Sequence, residues 1–305
     1  MRENYNRKTL VVLTGPTGVG KTLTSIELAG ALQTEIISAD ARQFFKELKI
    51  GTAAPTQEEL AAVPHHLAGH LSIFDYYNVS LFEQQALSIL DTIFLKSDYA
   101  ILTGGSGLYI DALCHGIDQL PDANPAIRNK VKNIYQQLGL EGLQEQLSTI
   151  DPEYFSEVDI HNPNRMMRGL EVYYSTGEKF SNLRKNTRIT RPFKIKKVII
   201  NRPRHELFDR INARTHLMVQ QGLVEEAVQF FPLRELNALN TVGYKELFGW
   251  LENRWPLHTA LEKIQTNTRR YAKRQLTWFK RYEDARWFMP HEINSILSFI
   301  KEGQS

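Results

Sequence analysis

Residues 9–22 read TLVVLTGPTGVGKT, and this stretch decides the fold class. Its first six residues are a short β-branched, apolar run of the kind that forms a buried strand. The next eight, Gly15–Thr22, match the P-loop pattern GxxxxGK[ST], and helical periodicity follows over Thr22–Leu32. Strand, glycine-rich turn and helix in this order are the context in which a P-loop binds phosphate. The sequence therefore predicts a bound diphosphate or triphosphate.

Each part of the P-loop has a physical role. Glycines let successive backbone N–H groups turn inward around a phosphate, where the start of the helix adds positive potential. The Lys21 ammonium can reach terminal phosphate oxygens, and the Thr22 hydroxyl can bind Mg²⁺, so Thr22 is the predicted metal ligand. The predicted diphosphate- or nucleotide-binding residues are Gly15, Pro16, Thr17, Gly18, Val19, Gly20, Lys21 and Thr22.

Two more strand-like segments follow, Glu35–Ala39 and Tyr99–Thr103, and both end at polar or glycine-rich residues. Strands that alternate with helices predict a parallel sheet with right-handed crossovers. Ligands of such sheets bind at the carboxyl ends of the strands. We therefore predict an α/β fold, a P-loop NTPase-like parallel sheet flanked by helices, in which GPTGVGKT, DARQ and GGSGLY form one site.

The alternation of strands and helices stops after the third strand. Helical patterns run through Val131–Leu138 and Leu140–Leu147, and Asp151-Pro152 and Asn162-Pro163 each predict a helix start. The next strand is predicted only at Phe193–Ile200, and the chain beyond it is mostly helical. We predict an all-helical insertion domain over residues 118–191 within an α/β core of residues 1–117 and 192–305.

Composition excludes several classes of protein. Hydrophobic residues make up 42% of the 305 residues and charged residues 23%, which is typical of a globular chain. The single cysteine, Cys114, excludes an internal disulfide and a Cys-rich zinc site. The polar N-terminus does not resemble a signal peptide, and no apolar stretch approaches the ~18 residues of a membrane helix. We expect a cytoplasmic, monomeric protein without a membrane segment.

The charge is unevenly distributed along the chain. The net charge is only +3, from 37 basic and 34 acidic residues. Nine Lys and Arg and no acid lie in Arg184–Arg204, and eight against three acids lie in Glu262–Arg286. One such run is most often a solvated face, but two favour a polyanionic partner such as an RNA backbone.

Two polar residues at strand ends leave their roles open. Asp40 directly follows the second strand, and from position alone it could be a magnesium ligand, a general base or a helix N-cap. Ser106, in the segment TGGSGLY, offers a hydroxyl beside glycines that allow close approach of a ligand. The alternative for this segment is a tight turn from strand to helix.

Several longer blocks are more specific than the P-loop. After GPTGVGKT in the chain, they are ISADARQFFKELKIGTAAP (37–55), VPHHL (63–67), TGGSGLY (103–109), NRMMRGLEVYYSTG (164–177), GLVEEA (222–227), LNTVGYKEL (239–247) and NTRRYAKRQLTWFKR (267–281). In order and spacing GPTGVGKT and these blocks resemble the tRNA dimethylallyltransferases, also called tRNA isopentenyltransferases. The resemblance extends from Leu10 to Arg281.

The resemblance implies a reaction. The family transfers a dimethylallyl group from dimethylallyl diphosphate to the N6 amine of adenosine at tRNA position 37, beside the anticodon. The P-loop would then hold diphosphate as the leaving group with Mg²⁺, and Lys21 and Thr22 would be catalytic because they neutralise charge as the carbon–oxygen bond breaks. Asp40 would orient the adenine amine and take its proton. The adenosine would have to leave its stack.

The resemblance also implies how the partner tRNA is held. The helical insertion would hold the anticodon stem-loop, and basic residues near the C-terminus would contact its backbone. Residues on blocks that contact tRNA in the family are Asp40, Ala41, Arg42, Gln43, Ser106, Arg128, Asn164, Arg165, Met166, Met167, Arg168, Arg270 and Arg274.

The chain departs from the family pattern at several positions. After VPHHL it reads AGHLSIF where an ID-type segment is expected, and three single changes lie near the expected site. Where the family pattern is close to ADSRQVYRGMDIGTAKP, this chain has Ala41 for a serine, Phe45 for a tyrosine and Ala54 for the lysine. Each change removes a donor or a charge near the expected site. Three alternative functions remain open at this stage: a P-loop kinase of small molecules, prenyl transfer to a free adenine nucleotide, and a non-catalytic RNA-binding protein.

Overall fold

Six strands form one parallel sheet. The structure is a computed structural model and describes residues 5–118, 120–122, 124–185 and 188–302. The strands are β1 (Thr9–Thr14), β2 (Ile36–Ser38), β3 (His65–His66), β4 (Tyr99–Gly104), β5 (Lys194–Ile200) and β6 (Arg286–Phe288). Their order across the sheet is β3-β2-β4-β1-β5-β6, and each neighbouring pair runs parallel. The predicted α/β fold with a parallel sheet is confirmed.

Helices make up most of the rest of the described chain. They are α1 (Lys21–Leu32), α2 (Gln57–Ala62), α3 (Val79–Phe94), α4 (Gly107–His115), α5 (Pro125–Ile150), α6 (Pro152–Glu157), α7 (Pro163–Thr176), α8 (Phe180–Leu183), α9 (Arg204–Gln220), α10 (Leu223–Phe230), α11 (Tyr244–Leu251), α12 (Leu257–Phe279) and α13 (Ile293–Lys301). Within the described ranges, none of them combines the length and the apolar character needed to cross a membrane.

The central strand β1 is buried on both faces. Leu10 and Val12 belong to one apolar cluster, and Val11 and Leu13, which point the other way, belong to a second. All four side chains are fully buried. Burial of such a side chain contributes roughly 1.5–3 kcal/mol, so this strand is held firmly between its two layers. The loop that follows β1 therefore starts from a fixed position.

The chain divides into two compact units. One comprises residues 1–115 and 190–305 and contains the sheet; the other comprises residues 116–189 and is helical. The insertion was predicted to span residues 118–191, so each predicted boundary lies two residues after the observed one. In the helical unit, Val131, Leu143, Leu147 and Leu170 form the centre of a separate apolar core. This core allows the helical unit to pack around its own interior.

Local sequence signals explain the helices of this unit. Asp151 Oδ1 accepts the Tyr154 N–H, and Asn162 Oδ1 accepts the Arg165 N–H, so both predicted helix starts are confirmed. The two helical patterns expected on either side of residue 139 are confirmed, because the range given as α5 consists of two helical segments separated at Gly139, where φ is +64° and ψ is −155°. Glycine tolerates this conformation at little steric cost.

The two strands at the edges of the sheet, β3 and β6, were not predicted. β3 has two residues and β6 has three, and each lies at one edge of the sheet. So few residues carry no readable period of hydrophobicity, and pairing with one neighbour alone defines them. In β3, His66 Nε2 lies 2.6 Å from Glu35 Oε2.

Candidate active site

The P-loop occupies the position that the sequence predicts, between β1 and α1. Gly20 lies at the start of α1 with φ of +113°, a conformation that L side chains rarely adopt. At Gly15, a β-carbon would come within 2.3 Å of the Ile200 carbonyl oxygen, so the loop begins in close contact with the end of β5. The two glycines are therefore required by the path of the loop.

Three arginines from outside the motif hold the P-loop. Arg202 Nε donates to the Val19 carbonyl oxygen and Arg210 Nε to that of Gly18, each at 2.9 Å. Arg214 Nη2 donates to the Thr17 hydroxyl at 2.7 Å. None of these arginines was given a role from the sequence. Arg202 lies in the basic run 184–204, of which residues 186 and 187 are outside the described part. Arg210 and Arg214 lie on α9 and belong to no sequence motif.

Lys21 lies within the P-loop, in reach of the charges of Asp40 and Arg214. Its Nζ donates to the carbonyl oxygens of Gly15 (2.9 Å) and Pro16 (3.1 Å). Burial lowers the pKa of Lys21 to about 8; the charge of Asp40 opposes this shift, and that of Arg214 adds to it. Lys21 and Arg214 repel each other in a pocket that is shielded from water. A bound polyanion would offset this repulsion, so its binding there is favoured.

Asp40 lies within electrostatic reach of these cations. Burial lowers the pKa of the Arg214 guanidinium, and the Asp40 carboxylate opposes that shift. Burial also raises the pKa of the Tyr271 phenol, and the charge of Asp40 raises it further. The carboxylate therefore lies among Lys21, Arg214 and Tyr271, although it comes from a different strand end.

The local backbone excludes one of the three roles left open for Asp40. Its Oδ1 accepts the Arg42 N–H at 3.0 Å, and its carbonyl oxygen accepts the Gln43 N–H at 3.1 Å. These bonds form a turn, and the next helix after Asp40, α2, begins only at Gln57. The helix N-cap interpretation is therefore wrong. Among the described residues, no hydrogen bond to Oδ2 of Asp40 is found, which leaves that oxygen for a ligand.

The turn between β4 and α4, Gly105–Ser106, is called the glycine turn below, and it is bonded to the backbone on both sides of Asp40. The Ser106 N–H donates to the Ala39 carbonyl oxygen (3.2 Å), and the Ser106 hydroxyl accepts the Ala41 N–H (3.0 Å). Thr14 donates its hydroxyl proton to the Gly104 carbonyl oxygen at 2.8 Å. The structure thus brings together the three polar segments that follow β1, β2 and β4.

A further residue that the sequence analysis missed joins two of these segments. Gln275, on α12, is buried and bonds to the P-loop at Thr17 and to the glycine turn at Gly105. It lies in the block NTRRYAKRQLTWFKR, whose resemblance to the family was the only available signal. Its partners are 258 and 170 residues away in the chain, so no local pattern could have identified them.

Arg42 and Gln43, predicted to contact tRNA, make bonds within the protein. The Arg42 guanidinium donates to the carbonyl oxygens of Asn237 (2.9 Å) and Asn240 (3.2 Å). Gln43 Nε2 donates to the Ala53 carbonyl oxygen at 2.8 Å. Both side chains therefore fix neighbouring loops around Asp40. Their contact with tRNA stays a prediction.

In the helical unit, two predicted tRNA-binding arginines share one carboxylate. Arg128 Nε lies 3.1 Å and Arg168 Nη1 3.7 Å from oxygens of Glu171, whose side chain is buried. Arg168 also donates to the Pro121 carbonyl oxygen. Both arginines remain partly exposed. Met166, in contrast, is fully buried in the core of this unit, so the prediction that its side chain contacts tRNA is wrong.

The other predicted tRNA residues lie nearer the surface of their own units. Asn164 and Arg165 are exposed in the first turn of α7, and Met167 is partly buried. Arg270 and Arg274 are exposed on α12, one turn apart. The Arg274 guanidinium carbon lies 5.8 Å from the centre of the Tyr271 ring, within the range of a cation–π contact.

The three single changes from the family pattern have structural explanations of different kinds. Phe45 is buried in the main apolar cluster, where a ring without a hydroxyl needs no polar partner. Ala41 contributes its backbone N–H to Ser106, a bond that any residue except proline could make. Ala54 is held through its backbone N–H, which donates to the Lys49 carbonyl oxygen. In the described part of the chain, none of these three residues is hydrogen-bonded to the P-loop.

The fold and this site define a P-loop α/β protein with a carboxylate beside its phosphate-binding loop. The sequence model of the family described as IPP transferase matches residues 43–282, and that described as isopentenyl transferase matches residues 8–66. The chain belongs to the tRNA dimethylallyltransferase family. It is therefore a transferase of the prenyltransferase type, and the kinase, free-nucleotide and non-catalytic alternatives are not favoured.

Individual relatives agree with this membership. The chain is 48% identical over 292 residues to tRNA dimethylallyltransferase 1 of Phocaeicola vulgatus, covering 96% of this chain and 97% of the relative. It is 47% identical over 293 residues to the tRNA dimethylallyltransferase of Christiangramia forsetii, with coverages of 96% and 97%. Both comparisons extend over nearly the whole length of each protein.

Solved structures extend the likeness to the fold. The full-length tRNA isopentenylpyrophosphate transferase of Bacillus halodurans superimposes with a TM-score of 0.70 at 32% identity, over 97% of each chain. A eukaryotic dimethylallyltransferase acting on tRNA gives a TM-score of 0.75 at 26% identity, over 94% of this chain and 75% of that one.

Proposed function

We propose that this protein transfers the dimethylallyl group of dimethylallyl diphosphate to the N6 amine of adenosine 37 in tRNA and releases diphosphate. The observation that carries the proposal is the position of Asp40. Its charge acts on Lys21, which is part of the P-loop, and on Arg214, which is bonded to the loop at Thr17. A leaving-group site and a base for the incoming amine are thus neighbours, as a transfer between them requires.

The proposed reaction makes one bond and breaks one. The adenine N6 attacks the first carbon of the dimethylallyl group, a carbon–nitrogen bond forms, and the bond from that carbon to the diphosphate oxygen breaks. Asp40 takes the proton that N6 loses. Lys21, the P-loop N–H groups and Arg214 stabilise the negative charge that collects on the diphosphate. No phosphoryl group moves, so the P-loop acts only on the leaving group.

The residues of the site fit Mg²⁺ bound through the substrate. No group of three or more His, Cys, Asp or Glu that could hold a metal ion occurs within the described ranges. Mg²⁺ typically keeps several waters and takes one or two protein ligands plus substrate phosphates. We propose that the Thr22 hydroxyl is such a ligand and that the ion, when bound, offsets diphosphate charge.

The tRNA would be held by residues of both units. We assign backbone contacts to the exposed Arg270 and Arg274 of α12, and contacts to the anticodon stem-loop to Arg128, Arg165 and Arg168 of the helical unit. Arginine suits both because its planar guanidinium binds phosphate with two parallel hydrogen bonds. We further propose that the protein acts as a monomer in the cytoplasm, where unmodified tRNA is present.

A direct assay tests the proposed activity. The protein is incubated with Mg²⁺, dimethylallyl diphosphate and tRNA that lacks the modification, and the digested nucleosides are weighed by mass spectrometry. We expect a prenyl-sized gain on adenosine alone. The Asp40→Ala variant is the matched control, since it should still bind tRNA. Bound tRNA without any gain in mass, together with turnover of ATP in the absence of RNA, would contradict the proposal.

A further inference from the structure

Gln275 joins the two loops that would hold the reacting groups. Its Oε1 accepts the Thr17 N–H of the P-loop at 2.8 Å, and its Nε2 donates to the Gly105 carbonyl oxygen at 2.9 Å. We propose that Gln275 is a positioning residue that sets the distance between the diphosphate and the base. This inference rests on the proposed function, because it concerns the alignment of the two groups in that reaction.

A primary amide suits this position because the two partners have opposite needs. The Thr17 N–H requires an acceptor, and the Gly105 carbonyl requires a donor; an amide supplies both in one plane. The side chain is only 6% exposed, so water is a poor substitute for either bond. Replacing the amide with an apolar group would leave two backbone groups of the site without partners.

The bonds continue from Gly105 to the base. Ser106, the next residue, bonds to the backbone of Ala39 and Ala41, on either side of Asp40. On the other side, the Thr17 hydroxyl accepts from Arg214, so Gln275 and Arg214 fix different atoms of the same P-loop residue. A displacement of Gln275 would therefore move the leaving-group loop relative to the loop that carries Asp40.

The segment that carries Gln275 is also bonded to the helix that follows the glycine turn. Trp278, about one turn later on α12, donates from Nε1 to Asp111 Oδ2 (3.2 Å). Tyr282, three residues beyond the end of α12, donates its hydroxyl proton to Asp111 Oδ1 (2.6 Å). Asp111 lies on α4, the helix that begins directly after the glycine turn. The amide is also tightly enclosed, because a β-carbon on Gly105 would lie 2.2 Å from its Nε2.

The test compares two variants of Gln275 with a control on the same helix. Gln275→Leu keeps the size of the side chain and removes both hydrogen bonds. Gln265→Leu makes the same change at a more exposed position, where the amide lies 3.3 Å from His216 Nε2. We expect Gln275→Leu to lower the single-turnover rate of prenyl transfer ~10–100-fold, because small misplacements of reacting groups have effects of that size. The affinity for tRNA should change less than twofold, and Gln265→Leu should match the wild type.

A second variant separates positioning from general damage to the fold. In Gln275→Glu, the neutral carboxyl can accept from Thr17 and donate to Gly105, whereas the ionised carboxylate cannot donate. The rate of this variant relative to the wild type should therefore rise as the pH falls from 8.5 to 5.5, while the relative rate of Gln275→Leu stays constant. If Gln275→Leu fails to fold, this pH series decides alone.

The outcomes that overturn the inference are distinct from those that overturn the proposed function. A Gln275→Leu transfer rate within twofold of the wild type would refute the positioning role, as would a pH-independent ratio for Gln275→Glu. If the wild type itself transfers no prenyl group, the proposed function fails. The affinity for inorganic diphosphate, measured by calorimetry, then tests Gln275: we expect it to be several-fold weaker in Gln275→Leu, and equal affinities would overturn the inference.

Discussion

The lowered pKa of Lys21 predicts how the binding of dimethylallyl diphosphate depends on pH. In the free protein, burial lowers this pKa from 10.5 to about 8, so that Lys21 loses its charge in mildly alkaline solution. A bound diphosphate favours the charged form and should return the pKa to at least its ordinary value. Binding is therefore coupled to proton uptake, and affinity should fall as the pH rises above 8.

The size of the effect follows from the two pKa values. If the pKa rises from about 8 to about 10.5 on binding, the full coupling is ~3.4 kcal/mol, since each unit corresponds to about 1.4 kcal/mol. Between pH 8 and 9.5 the dissociation constant should then rise ~15-fold. At pH 8, where the free lysine is half protonated, binding should take up about half a proton.

Titration calorimetry without tRNA measures both quantities. The dissociation constant is followed across this pH range, and the proton uptake comes from buffers with different enthalpies of ionisation. Lys21→Arg is the control, because a guanidinium stays charged throughout this range and its curve should be flat. A wild-type affinity that does not change between pH 8 and 9.5, or that changes as steeply in Lys21→Arg, would refute the reasoning.

Three other predictions concern the base, the P-loop and the partner. Asp40→Ala should reduce turnover by ~10²–10⁴ yet leave tRNA affinity within a few-fold; near-normal turnover would rule out the base. Arg214→Met should raise the KM for dimethylallyl diphosphate by the equivalent of ~1.5–3 kcal/mol, because a charge-assisted bond to Thr17 is lost. Arg204→Met, an exposed change on the same helix, should have little effect, and equal effects would argue against a specific role for Arg214. The logarithm of the association constant for tRNA should fall steeply and linearly with the logarithm of the salt concentration. If filter binding shows an association constant that does not depend on salt, the phosphate contacts are contradicted.

The part of the fold that sequence predicted best is the part with local signals. The P-loop needs a strand before it and a helix after it, and TLVVLT and the α1 pattern supply both. Asp151 and Asn162 precede prolines and accept backbone N–H groups, so their helix starts could be recognised from a few adjacent residues. The strands β3 and β6 lacked such signals because pairing at the sheet edge defines them.

The site was predictable only in part, for a related reason. Lys21 was found because it belongs to the P-loop pattern, and Asp40 because it directly follows a strand that the sequence reveals. Arg214 and Gln275 reach Thr17 from helices about 200 and 260 residues further along the chain. Their roles depend on tertiary packing, which one sequence without an alignment does not disclose. Met166 shows the reverse case, since its block pointed to tRNA but its side chain faces the core.

The most direct test of the central claim uses a synthetic anticodon stem-loop. One version carries adenosine at position 37 and a matched version carries guanosine there; each is incubated with the protein, Mg²⁺ and dimethylallyl diphosphate, and the product is mapped by mass spectrometry. We predict one prenyl group on the adenosine version, located at position 37, with one diphosphate released per group and no gain on the guanosine version. Equal gain on both versions, or prenylation of free AMP but not of the stem-loop, would contradict the account.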